Sequence, residues 1–148
     1  ATIDACWSYL SAERLPVLGL LAWGCARSSN VVHAAVLRER LLRLGSLGIR
    51  VVRIAPVGAW LGPLDHHIGT LSRVLGDLDE AEARLERALV VAHEMNGSPF
   101  TIRTMQELAT VASMRGGPGD RDRTAAWRSK AEDLAARLGL ATMLSAHE

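Results

Sequence analysis

The residues in this chain that could do chemistry are few, and their spacing decides most of them. His66-His67 is a pair of metal-ligating side chains, yet neighbours on a helix point about 100° apart and cannot share one ion. A third ligand would have to come from His33 or His93 across the fold, and the chain has no HxxxH or HExxH spacing. Cys6 and Cys25 form no CxxC pair, so they read as free thiols in a reducing compartment. Gly116-Gly117-Pro118-Gly119-Asp120 is rich in glycine like a phosphate-binding turn. It lacks the closing Lys-Ser/Thr of a P-loop and the preceding strand of a dinucleotide turn, and reads as an inter-helix loop. Asp77, Asp79 and Glu80 are carboxylates at a helix start, where negative charge meets the positive end of the helix dipole. The sequence therefore predicts no catalytic site, no metal site and no cofactor.

The elements that must position any other site are written around Leu75-Gly76-Asp77-Leu78. Leu64, Ile68, Leu71 and Leu75 recur at helical spacing before the glycine, and Leu78, Ala81, Leu85, Ala88, Leu89 and Ala92 after it. Glycine suits the left-handed residue that ends a helix, and the Asp after it is placed to cap the next. Ala81 and Ala88 share one face, with Gly69 giving clearance from the opposite helix. Ala81→Leu is therefore expected to destabilise the chain by roughly 1–3 kcal/mol through overpacking.

The same reading covers the rest of the chain. A short helix is expected over about Thr2 to Glu13, carrying Ile3, Cys6, Trp7 and Leu10. Pro16 opens another, ending near Ser28-Ser29-Asn30, and Asn30 caps a third from Val31 to Leu44. Arg50-Val51-Val52-Arg53-Ile54 is β-branched and reads locally as a strand. No partner strand is evident, so an extended or helical connector is expected, with a short helical turn over Pro56 to Leu61. Ser98-Pro99 reads as a cap and first turn, and a last helix runs from Asp120 to Leu138 with Gly139 at its end.

Some of these residues carry a family resemblance. Ile68-Gly69, Ala81, Leu85 and Ala88 resemble the tetratricopeptide repeat, with Asp65, Ser72 and His93 where that family has Trp, Tyr and Pro. Ala22 and Ala34 stand at the same offset as Gly69 and Ala81, marking a more degenerate unit. The run from Trp60-Leu61-Gly62-Pro63 to Leu138-Gly139-Leu140 resembles the C-terminal helical-repeat region of large bacterial signalling ATPases. These are LuxR-family regulators and adenylate or guanylate cyclase-like proteins. The stretches that carry the likeness best are Leu75-Gly76-Asp77-Leu78-Asp79-Glu80-Ala81-Glu82 and Arg115-Gly116-Gly117-Pro118-Gly119-Asp120-Arg121.

The resemblance implies an all-α fold of antiparallel helical hairpins stacked as a short tetratricopeptide-like α-solenoid, in one domain over 1–148. Its divisions are a degenerate repeat at 15–45, a connector at 46–61, repeats at 62–95 and 98–138, and a tail at 139–148. The first helix of each unit would line a concave face. The groove positions it implies are Trp23, Arg27, His66, Thr70, Arg73, Arg103, Gln106 and Thr110. A groove-facing Arg73 is expected to tolerate alanine at little cost in stability.

Composition bounds the function. Apolar residues make up 49% of 148 residues, yet Phe and Tyr occur once each, which favours close helix packing over a β-sandwich. The net charge of +1 selects neither nucleic acid nor an anionic membrane. The uncharged run from Leu15 to Ala26 is shorter than the ~20 residues of a membrane span, and no basic region precedes an apolar one near Ala1, so a cytoplasmic protein is expected. The mean hydropathy of +0.12 suggests a self-associating surface or a neighbouring domain of a larger polypeptide. The leading expectation is a non-catalytic protein-interaction or effector-sensing domain of a bacterial signalling regulator, binding a protein, a peptide or a small polar effector. The alternative is an oligomerisation scaffold without a ligand.

Overall fold

At the central hinge, Leu75 closes one helix and Gly76, at φ +78°, turns the chain so that Asp77 begins the next. The Asp77 amide donates to the Ser72 carbonyl and the Gly76 amide to that of Arg73, both at 3.0 Å. These paired bonds satisfy carbonyls that a helix end would otherwise leave open. The following hinge repeats the arrangement with Asn96, at φ +51°, in the left-handed position. Asp77 does not cap its helix through its side chain. Its carboxylate accepts from Arg38 at 3.0 Å instead, so the hinge is pinned to the preceding hairpin.

The computed structural model describes residues 14–54 and 59–140. The helix expected over about Thr2 to Glu13 lies outside the described residues, as do Pro56, Val57 and Gly58 and the tail beyond Leu140. Among the described residues the order is α1 (Arg14–Ser28), α2 (Val31–Ser46), β1 (Val51–Ile54), β2 (Ala59–Pro63), α3 (Leu64–Val74), α4 (Leu78–Glu94), α5 (Ser98–Arg115) and α6 (Asp120–Leu138). The fold is all-α apart from one small ribbon. Asn30 caps α2 by accepting from the His33 amide at 3.1 Å. Gly97 rather than Ser98 stands at the α5 cap, with Pro99 inside the first turn. None of the described helices is long and apolar enough to cross a membrane.

The ribbon corrects the expectation of an unpartnered segment. β1 pairs antiparallel with β2, Val52 opposite Gly62 and Arg53 opposite Trp60, with a bulge between them. Residues 59 to 61, expected in a helical turn, are strand. Burial explains why the pair forms. Val52 is fully buried beneath α1, where a Cβ on Gly19 would lie 3.2 Å from Val52 Cγ1.

Each helix packs on the next along the chain, and α3 also touches both α1 and α5. The apolar interior is correspondingly divided. One cluster joins α1, α2, β1 and α3 through Ala22, Ala34, Leu41, Val52 and Ile68. A second joins α4 and α5 through Ala81, Leu85, Leu108 and Val111, with Trp127 of α6 against it. A third joins Ile102 of α5 to Ala131 and Ala135 of α6.

Ion pairs cross the same seams. Arg84 of α4 holds Asp65 of α3 at 2.9 Å, and Arg115 of α5 holds Asp79 and Glu82 of α4 at 2.7 Å.

Close approach at the α3–α4 hairpin is visible at Gly69. A Cβ there would lie 2.8 Å from Leu85 Cγ and 3.1 Å from the Ala81 carbonyl oxygen, and Ala81 is completely buried. Backbone cannot move aside as a side-chain tip can. Ala81→Leu should therefore lower stability by about 1–3 kcal/mol in urea denaturation. A melt matching the parent protein would place this contact elsewhere.

Candidate functional site

Gly62 and Gly97 shape the site by what they lack. A side-chain carbon on Gly62 would overlap the Phe100 ring, and one on Gly97 would overlap the Trp60 indole. With both absent, Trp60 and Phe100 meet edge to face, their centroids 5.0 Å apart. Phe100 then meets His66 at 5.7 Å, and His66 meets His67 at 5.5 Å, again edge to face. The row of rings runs from the ribbon across the start of α5 to α3.

Both histidines are buried and bonded. His67 Nε2–H donates to the Leu61 carbonyl at 2.8 Å. The Thr104 hydroxyl donates its one proton to the Phe100 carbonyl at 2.6 Å, so its oxygen accepts from His66 Nδ1–H at 2.9 Å. His66 Nδ1 therefore carries a hydrogen. Burial, with the nearby Arg103 charge acting the same way, lowers the His67 pKa from 6.5 to about 4 against the opposing effect of the Leu61 bond.

This shift has a consequence for stability. Unfolded His67 takes up its proton near pH 6.5 and folded His67 only near 4. Between those values the unfolded chain holds more protons, so stability rises with pH. The contribution, about 3 kcal/mol at roughly 1.4 kcal/mol per pH unit, is fully present above pH 6.5. It is lost as pH falls through 4. Urea midpoints from pH 7.5 to 4 should show this slope in the parent chain and a shallower one in His67→Gln. Equal slopes would place His67 in water.

Around the rings lies a pocket of about 190 Å³ lined by Gly19, Leu20 and Trp23 of α1, Leu61 of β2, His66 and His67 of α3, and Phe100 and Arg103 of α5. Three of the groove positions implied by the sequence, Trp23, His66 and Arg103, thus line one cavity. Arg27 sits a turn beyond Trp23, its guanidinium carbon 5.4 Å from the indole centroid. Thr110 is exposed and donates to the Gln106 carbonyl, while Gln106 is half-buried.

Two groove assignments are corrected. Thr70 is buried and donates to the His66 carbonyl at 2.7 Å, which makes it part of the helix packing. Arg73 is no open cation: its Nε donates to Glu107 at 2.7 Å, with the two side chains only 15% and 10% exposed. With that pairing, a larger cost than the one read from the sequence is expected for Arg73→Ala.

Gly19, Leu20, Leu61, His67 and Phe100 complete the lining and are not among the groove positions that the resemblance implies. A single Phe in the chain was the available signal, because so rare a ring has few partners to pack against.

The carboxylates at the α4 start are committed to arginines: Asp79 to Arg115 and Glu80 to Arg84. In the Gly116–Asp120 loop, Asp120 accepts the Gly117 N–H at 2.9 Å. A pocket of about 400 Å³ opens there, lined by Arg121 and Arg128 as well as by Asp120, whose carboxylate is shared between the Gly117 N–H and Arg123. Among the described residues no three His, Cys, Asp or Glu side chains converge as a metal site would require. Compared with protein-family models, with curated proteins and with solved structures, the chain has no match.

Proposed function

We propose that this chain is a non-catalytic binding module whose ligand site is the pocket between α1, α3 and α5. It is a short stack of antiparallel hairpins, α1–α2, α3–α4 and α5–α6, of tetratricopeptide type. It serves as the protein-interaction or effector-sensing part of a cytoplasmic bacterial signalling regulator resembling the LuxR-family and cyclase-like ATPases. The observation that carries this reading is that Trp23, His66 and Arg103, from the first helices of three successive hairpins, line one pocket. Helical repeats present ligands to such a row of first helices. Arg and Trp are residues on which binding energy concentrates.

A screen of mixed neutral, cationic and anionic fragments by amide-resolved NMR tests it. Shifts should cluster at Gly19, Trp23 and Arg103, and Trp23→Ala should abolish them. Shifts clustering at the α5–α6 loop would overturn the assignment.

A second reading, self-association, draws on a different observation. Val17, Leu21, Val31, Val32 and Val36 expose apolar surface on α1 and α2, with Val32 reaching 74%. Apolar side chains left exposed on neighbouring helices supply the surface that an interface buries. Light scattering that finds a stable dimer, dissociated by Val32→Glu, would favour this reading; a monomer counts against it.

A further inference from the structure

We infer that the pocket between α1, α3 and α5 takes a small free acid, one carboxylate joined to a flat apolar group. This rests on the reading that the pocket is the ligand site and names the chemistry of the ligand. Four walls are apolar: Leu20, Trp23, Leu61 and Phe100. The charge is supplied by Arg103, whose guanidinium carbon lies 5.5 Å from the Phe100 ring centroid.

Arg103 differs from the arginines that hold the fold together. Arg38, Arg50, Arg73, Arg84, Arg115 and Arg123 each grip a carboxylate. Among the described residues none pairs with Arg103. No Asp or Glu lines the pocket, so a cationic ligand would meet an uncompensated positive charge. A guanidinium fork matches a carboxylate with two parallel hydrogen bonds.

Charge and size narrow the class further. His67 stays neutral near pH 7 because burial holds its pKa at about 4, and its Nε2–H is already given to Leu61. The single arginine of the lining therefore suits a monoanion. A phosphate monoester, carrying about −1.5 to −2 at pH 7, would keep excess charge against apolar walls, which is costly. The volume of about 190 Å³ falls below the roughly 300–1,000 Å³ of drug-sized sites. It suits a single ring with its acid group, held between Trp23 and Phe100.

The experiment uses the full chain and four probes: phenylacetate, its neutral amide phenylacetamide, inorganic phosphate, and the peptide Ala-Ala-Phe with a free carboxyl end. Amide and indole signals are followed by NMR, with melts confirming that each variant is folded. Phenylacetate should shift the Trp23 indole and Gly19 signals and bind at least ten-fold more tightly than phenylacetamide. Arg103→Gln should erase that ratio and Arg103→Lys should restore part of it. Phosphate should leave those signals in place.

Equal affinity for acid and amide at the pocket would overturn the carboxylate assignment while leaving the site reading intact. So would phosphate matching phenylacetate, or an unchanged ratio in Arg103→Gln. Binding of Ala-Ala-Phe without phenylacetate would replace the small acid by a peptide end. Probes that shift signals only away from α1, α3 and α5 would overturn both the ligand class and the site.

Discussion

Glu107→Ala should cost the fold about 3 kcal/mol, the lower end of what removing one partner of a buried ion pair costs. Glu107 and Arg73 are bonded at 2.7 Å and almost shut away from water. Deleting the carboxylate strands a guanidinium between α3 and α5 with neither partner nor full solvation. Arg73→Ala should be nearly as costly, since it leaves the carboxylate behind. Replacing the two together, Arg73→Met with Glu107→Leu, should recover most of the loss, because an apolar pair of similar volume carries no desolvation penalty. Urea denaturation of the single and double variants forms the cycle that isolates the pair. A loss below about 1 kcal/mol for Glu107→Ala would make this an ordinary surface pair.

Gly62→Ala should destabilise by about 2–4 kcal/mol, combining left-handed strain with overpacking. Gly62 sits at φ +98° in β2, with the Phe100 ring in the space a side chain would need. Gly97→Ala separates the two causes. Gly97 has φ −85° and carries no such strain, but its added carbon would overlap Trp60. It should cost about 1–3 kcal/mol by packing alone. Gly62→Ala should also displace Phe100, a wall of the pocket, and change the NMR signals of Trp23 and Arg103. A Gly62→Ala variant with parental stability would show that the ring moves aside freely.

These two predictions lie on opposite sides of what could be read from the chain alone. The hinge at Gly76, the Asn30 cap, the bounds of α6 at Asp120 and Leu138, and the face that Ala81 and Ala88 share on α4 were legible. Each depends on residues within about two helical turns, and helical period and capping chemistry act over that distance. The all-α character follows from the same local rules repeated along the chain.

The tertiary structure decided what depends on distant partners. The β1–β2 ribbon needs Val52 beneath α1 before its backbone bonds are worth forming, and Asp77 finds Arg38 in preference to its own helix end. Arg73 and Arg103 both stand on first helices, and neither carries a local sign of its role. Glu107 happens to face one of them, 34 residues along the chain, whereas the other is left beside Phe100 and the two histidines. Sequence spacing specifies which way a side chain points from its own helix. Only the packing of α1, α3 and α5 decides what it meets there.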